Sequence, residues 1–407
     1  MSKIGWTYEE RSDIILSTIT VVVRGYMSKP KLMSFFSGAF GLDIGLEEAG
    51  FDVIWANEIE KDFANTIKLN RPQVNVCQAD MTELDPHKIM KELGLKVGEL
   101  DLMAGGPPCQ SFSTAGRRLS INDPRGNLML RYVQWISIFQ PKYFILENVK
   151  GLLSAPIKHT PHAERGKDWM PTPEEAHGSA IRLVLAEIEK IGYKVNYQLV
   201  NTANYGVPQT RERVVMLGSR DGDLLQFPEP THSKDGKNGL MPWVTLKEAL
   251  EGLNDKEAEH SSYSEARLKY IRQVPSGGNW RSLPLEIQKE AMGGAYLSGG
   301  GKVGFYRRLS WEKPSPTVTT SPHQKATDMC HPEFDRPLSV SEYARIQQFP
   351  DDWKFFGGTS RKYKQIGNAV PVGLGRVLGE TIIEALEPQP VTEKEVNLIR
   401  QLNLRTA

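Results

Sequence analysis

Cysteine is scarce in this chain: Cys77, Cys109 and Cys330 are the three thiols in 407 residues. None forms a Cys-x-x-Cys pair, which argues against a disulfide framework or a structural zinc site and fits a reducing compartment. An excess of one charge sign is missing too. Lys and Arg total 50 against 49 Asp and Glu, a formal net charge of +1, so the total does not point to a polyanion. Long apolar runs are absent; the N-terminal stretch over residues 14–23 is too short to span a bilayer and contains Ser17, Thr18 and Thr20. No basic-then-apolar signal segment opens the chain. The expectation is a cytosolic protein.

What is present suits a globular fold: 39% hydrophobic and 24% charged residues, over a length that fits a large domain plus a smaller one. The near-zero total still leaves local clusters of cations. Arg117-Arg118, Arg125 and Arg131 lie near Cys109 in sequence, followed by Arg211 and Arg213, Arg307-Arg308, and Arg361-Lys362-x-Lys364. Gathered together they would make one basic face.

Short apolar runs alternate with helical patterns through the first half. Strands are expected over residues 31–36, 53–56, 74–77, 100–104, 143–146, 197–200 and 214–217, and helices over 42–49, 61–69, 128–139 and 181–191. This alternation implies an α/β layered sheet with ligands at the strand C-terminal ends. It stops after about Gly218. Residues 219–305 are rich in Gly, Pro, Ser and charge and read as a second, smaller, irregular domain. A helical pattern returns from Leu338, with a last helix over 371–386 and a polar tail over 387–407. Residues 1–29 read as an N-terminal extension, and residues 154–177 as an insertion whose His159 and His162 belong to a solvent loop rather than a metal site.

Cys109 comes after an apolar strand that ends in Gly105-Gly106-Pro107-Pro108. The glycines allow a sharp turn or a close ligand, and the prolines fix the angle at which the cysteine leaves the turn. A thiol displayed this way reads as a nucleophile. The glycine turn Phe36-Ser37-Gly38-Ala39-Phe40-Gly41 reads as a nucleotide-cofactor loop at a helix N-terminus, although it lacks the G-x-G-x-x-G spacing of dinucleotide enzymes. Glu58 after the second strand is placed to accept ribose hydroxyls, and Asp80 after the third to receive an amino group. Glu147 directly succeeds another apolar strand and could donate a proton there. Arg211 and Arg213 stand at i and i+2 on an extended segment and should point the same way.

Together these segments resemble the DNA (cytosine-5) methyltransferase family. The resemblance rests on Phe36-Ser-Gly-Ala-Phe-Gly, Gly-Gly-Pro-Pro-Cys109-Gln-Ser-Phe-Ser, Asp123-Pro-Arg-Gly-Asn-Leu128, Glu147-Asn-Val, Gln209-Thr-Arg-Glu-Arg213 and Gln365-Ile-Gly-Asn-Ala-Val370, in the family's order. It implies a Rossmann-like S-adenosylmethionine-dependent sheet with a second, smaller, irregular target-recognition domain. The implied division is a catalytic and cofactor-binding domain over 30–218, a target-recognition domain over 219–306, and a return to the catalytic domain over 307–386.

The resemblance also implies roles. Cys109 would be the nucleophile, Glu147 would hydrogen-bond and protonate the cytosine ring, and Arg211 and Arg213 would hold the ring and order the catalytic loop. S-adenosyl-L-methionine would lie against Phe36, Gly38, Ala39, Gly41, Glu58, Ile59, Asp80, Met81, Pro108, Leu128, Asn368 and Val370. Gln110, Ser113, Arg117 and Arg118 would meet DNA, within a mobile loop over 110–127. No metal is expected. Phe40 stands where the family commonly has glycine, and its bulk is expected to narrow the cofactor turn. The implied partners are duplex DNA and a cognate restriction endonuclease or another defence protein, in the cytoplasm of a bacterium and at the nucleoid while acting.

Three other readings compete. A tRNA cytosine-5 methyltransferase would share the fold, but the long segment between Arg213 and Arg308 favours duplex reading. A non-catalytic binding module would not need Cys109, Glu147 and Arg213 together. A nicotinamide dehydrogenase would need a different glycine spacing.

Overall fold

The structure, a computed structural model, describes residues 29–108, 128–158, 160, 170–222, 224–253, 258–299 and 301–387. The N-terminal extension except residue 29, His159 and His162 lie outside them, as does all of the polar tail except residue 387.

A seven-stranded sheet organises the chain. Its strands are β1 (Lys31–Phe35), β2 (Asp52–Asn57), β3 (Asn75–Cys77), β4 (Leu102–Gly105), β5 (Tyr143–Val149), β6 (Lys194–Asn201) and β8 (Glu212–Ser219), in the order β3-β2-β1-β4-β5-β8-β6. The first five in that order pair in parallel, and β8 runs antiparallel to both β5 and β6. The two-residue β7 (Gln209–Thr210) pairs outside this sheet, with β11 (Ser315–Pro316).

The central strands are mostly apolar because both faces are covered. Alternate residues go to opposite faces. Leu32 and Ala56 join one buried cluster, while Met33, Phe35 and Trp55 join another. The second cluster includes α4 (Leu128–Phe139) and α5 (Ser179–Lys190), after α1 (Gly41–Ala49), α2 (Lys61–Asn70) and α3 (Pro86–Glu92) in the chain. There Phe35 meets the rings of Trp55, Tyr132 and Trp135 at centroid distances of 5.1, 5.4 and 5.0 Å.

The region expected to be irregular carries β9 (His232–Ser233), β10 (Met241–Pro242), α6 (Leu246–Leu250), α7 (Glu265–Ile271) and α8 (Leu285–Met292). Leu225, Leu246 and Leu250 pack into the main core. Tyr270, Val274, Trp280, Leu283 and Met292 form a small core of their own. Arg308 staples this lobe from inside. It is 5% exposed, and its guanidinium donates to the carbonyls of Val274, Ile271, His331 and Phe334 at 2.8–3.1 Å and to Asp335.

The chain returns through α9 (Val340–Ile346), α10 (Thr359–Asn368) and α11 (Val372–Leu386). Helices α1 and α11 meet backbone to backbone. A Cβ on Gly45 would lie 2.1 Å from the Val372 carbonyl oxygen, and one on Gly375 2.4 Å from that of Leu42. Only hydrogen at these positions permits the approach.

The expected basic face does not form from the described residues. Arg308 is buried, and Arg307 Nε donates to the Asp328 carbonyl at 2.8 Å. Arg361 pairs with Glu60 and Asp62 at 2.7 Å each, Lys362 with Glu259 at 2.5 Å, and Lys364 with Glu60 at 2.8 Å. Arg131 donates to Gln134 Oε1 and the Leu84 carbonyl. These cations hold the fold together instead. Among the described residues, no helix is long and apolar enough to cross a membrane.

Candidate active site

An open α/β sheet binds ligands beyond the strand C-termini, where the strand order reverses. Here the reversal falls between β1, which leads out to β2, and β4, which leads the other way to β5. The cofactor-type loop leaves β1 at this point and the Gly-Pro turn leaves β4.

The loop after β1 is held in an unusual shape. Phe36 and Phe40 both have left-handed backbones, with φ of 55° and 75°. For a residue with a Cβ this costs about 1 kcal/mol or more. Phe40 compensates by burial: it has no exposed surface and stacks on Trp353 at 6.3 Å and 8°. The expectation that its bulk narrows the turn is therefore corrected, because the ring goes into the core. Ala39 and Gly41 are also buried, whereas Phe36 and Gly38 are half-buried.

Glu58 braces the loop. Its carboxylate accepts the Gly38 and Glu60 N–H groups at 2.8 Å each, and burial pushes its pKa up. The adjacent Ile59 is 57% exposed, an apolar surface at the rim. Asp80 accepts the N–H and hydroxyl of Thr82 through Oδ1, at 2.8 and 2.7 Å. Met81 is buried, Pro108 exposed, Leu128 half-buried, Asn368 exposed and Val370 buried. Asn57, to which sequence patterns assign no role, ties β2 to β3 by donating to the carbonyls of Cys77 and Ala79 at 3.2 and 2.9 Å.

Across the crevice, Glu147 stands near the end of β5. Strand pairing sets Val149 opposite Arg213 and Glu147 opposite Val215. Arg213 Nε reaches Glu147 Oε1 at 2.7 Å, and both side chains are almost enclosed, 13% and 12% exposed. Gly106 explains how the acid fits beside the turn: a Cβ there would sit 2.9 Å from Glu147 Oε2. The neighbouring Asn148 is buried and donates to the Pro107 carbonyl at 2.8 Å, so it clamps the Pro-Pro turn from below. Sequence reasoning assigns Asn148 no role; its signal is its place between Glu147 and Val149.

The two arginines do not act as a pair. Arg211 falls in the break between β7 and β8 and is 2% exposed. It donates to the carbonyls of Val318 and Gly367 at 3.0 Å each. Burial, and then the nearby Arg213, pull its pKa down to about 9. The two guanidiniums have different partners: Arg211 grips backbone in the interior while Arg213 holds Glu147 at the crevice. A second group, not expected from sequence, completes that grip. Gln209 Nε2 donates to Gln347 Oε1 at 2.8 Å, and Gln347 Nε2 donates to the carbonyls of Ile366 and Ala369 at 2.6 and 3.0 Å. This buried knot joins β7, just ahead of the strand carrying Arg213, to the end of α10 and the residues after it, where Asn368 and Val370 lie. No sequence period marks Gln347, because its partners lie far away in the chain.

Cys109, Gln110, Ser113, Arg117 and Arg118 lie outside the described residues. Among the described residues, no group of three or more His, Cys, Asp or Glu side chains is placed to hold a metal ion.

The profile of the C-5 cytosine-specific DNA methylase family matches residues 30–384, almost the whole described region. The chain belongs to the C-5 cytosine-specific DNA methylase family. As such a methylase it transfers a methyl group to carbon 5 of cytosine in DNA. It is 38% identical to the Type II methyltransferase M.PspPI of Psychrobacter sp., covering 88% of this chain and 80% of that one. It is also 38% identical to M.Sau96I of Staphylococcus aureus, with coverages of 86% and 75%. Among solved structures, the S. pombe Dnmt2 methyltransferase superposes with a TM-score of 0.58 at 17% identity, covering 88% of this chain and 100% of that one. That likeness concerns the fold, and it agrees with the methylase sheet described above.

Proposed function

We propose that this methylase works by covalent catalysis from Cys109 on a cytosine flipped out of duplex DNA, with S-adenosyl-L-methionine as methyl donor. The observation that carries the reading is the Glu147–Arg213 pair, packed on Gly106 beside the turn that leads into Cys109. The residues on the other side of the crevice fit the cofactor. Glu58 keeps lone pairs for ribose hydroxyls, Asp80 Oδ2 suits an amino group, and Ile59 offers an apolar wall. When bound, the cofactor supplies an electrophilic methyl group.

The chain's own residues prepare the base. Carbon 5 of cytosine is a poor nucleophile, so the Cys109 thiolate adds to carbon 6, and the ring electrons move toward N3. Glu147, fixed by Arg213, hydrogen-bonds or protonates N3 and so stabilises that addition. The adduct makes carbon 5 electron-rich, which is the condition for accepting a methyl group. Water or a base then takes the carbon 5 proton, N3 returns its proton to Glu147, and the carbon 5–carbon 6 double bond re-forms as the carbon 6–sulfur bond breaks and the thiolate leaves. Carbon 6 is out of reach in a stacked duplex, which is why flipping is required. Arg211 and Asn148 are positioning residues in this scheme.

The small core around Trp280 supports assigning target recognition to residues 219–306, between the catalytic segments 30–218 and 307–386. The relatives named Type II methyltransferases support a bacterial restriction-modification setting, with a cognate endonuclease as partner and the cytoplasmic nucleoid as the place of action.

Bisulfite sequencing of DNA from cells expressing the chain tests the reading. The wild type should protect cytosines in one sequence context. Cys109→Ser should protect none while still binding duplex DNA. Methylation of tRNA alone, or wild-type protection by Cys109→Ser, would overturn the proposal.

A further inference from the structure

A carboxylic acid is sealed beneath the cofactor loop. Asp43 lies in the first turn of α1, two residues past the loop, and has no exposed surface. Neither of its carboxyl oxygens has a hydrogen-bond partner among the described residues. The Ser34 hydroxyl and, less, the Asp43 backbone N–H favour its charge, but the Ser34 hydroxyl is engaged with the Ser37 hydroxyl at 2.7 Å. Ser37 belongs to the loop, so the acid sits one hydrogen bond away from it.

The surroundings give a charge on Asp43 little support. Its own helix brings Glu47, which opposes ionisation. On α4, Tyr132 faces it, and burial, then Asp43 itself, hold that phenol un-ionised. On α11 the contact with α1 is backbone at Val372 and Gly375, and Arg376 is turned to Glu48 at 3.8 Å. The packed glycine seam prevents α1 from swinging the carboxyl outward. An isolated buried carboxylate is costly, and such a group keeps its proton instead.

We propose that Asp43 is a positioning residue that acts as a neutral acid: uncharged, it leaves the Ser34 hydroxyl to Ser37, and with it the cofactor loop in its shape. This rests on the assignment of that loop to S-adenosylmethionine. On ionisation, the carboxylate draws the Ser34 hydroxyl away from Ser37 and the loop loses its shape. Burial, opposed by Ser34 and reinforced by Glu47, raises the pKa of Asp43 from 3.8 to about 7, so the change falls in the physiological range. Between 3.8 and about 7 the folded chain holds a proton that the unfolded chain has lost, so stability falls as pH rises across that window and levels off above it.

The test is calorimetric binding of S-adenosylhomocysteine to the full chain without DNA, from pH 6 to pH 9. Wild-type affinity should weaken about tenfold across the range relative to Asp43→Asn and Asp43→Leu. The amine of the probe titrates equally in all three proteins, and Glu58 is unchanged, so the difference isolates Asp43. Urea midpoints at pH 5 and pH 8 give the second readout. The wild type should lose more stability over that interval than either variant. A wild-type slope retained by either variant, or a wild-type affinity that is flat with pH, overturns the role of Asp43 alone. Absence of binding by the wild type at every pH overturns the cofactor assignment as well.

Discussion

Arg211 and Arg213 are separated by one residue and do different work. Arg213 meets a carboxylate at the crevice, and Arg211 meets two carbonyls in the interior. Their replacement should separate accordingly. Arg213→Met should lower kcat by at least about a hundredfold with little change in melting temperature, since it removes a group that fixes the acid rather than the core. Arg211→Met should leave the Val318 and Gly367 carbonyls unpaired and destabilise the fold by about 2 kcal/mol or more. Thermal melts and single-turnover methylation of a duplex oligonucleotide check both. Equal losses of activity at unchanged stability would contradict the division. Phe40 makes a similar point: a residue that looks wrong in a glycine-rich loop is accommodated because its ring has a buried stacking partner in Trp353.

At the scale of elements, the cofactor loop is only as well placed as the contact between α1 and α11. That contact depends on glycine because the facing atoms are backbone and cannot rotate away. Gly45→Ala gains about 1 kcal/mol of helix propensity but forces the helices apart. The expected outcome is a net loss of about 1–3 kcal/mol, read from chemical unfolding, with weaker cofactor binding. The strands are readable as apolar runs, and their expected ends fall within a few residues of the observed ones. The directions of β6 and β8 are not. β8 is a buried apolar run that would read the same in either direction, and β6 is a half-exposed edge strand, so only pairing reveals their directions.

Across the whole molecule, charge is spent on cohesion. The described members of the expected basic clusters are buried, ion-paired or bonded to backbone or side-chain acceptors. Phosphate contacts are therefore expected from Arg117 and Arg118 rather than from the later clusters. Replacing both by alanine should reduce the slope of log affinity against log salt by about 2, whereas Arg361→Ala should leave the slope unchanged. Filter binding to the same duplex at several salt concentrations measures both. A lower slope for Arg361→Ala would return that cluster to the DNA surface.

The sequence by itself determined the layered α/β class, the order of the motifs, and the residue types at each strand end, because those depend on local apolar periodicity and on turn chemistry. Tertiary structure alone decided which of those residues meet. It joined Glu147 to Arg213, set Asn148 under the Pro-Pro turn, sank Arg211 and Gln347 into a buried knot, and closed Asp43 off from water. The physical reason is common to all of them. A hydrogen bond, an ion pair or the burial of a group needs a second surface, and here that surface comes from far along the chain.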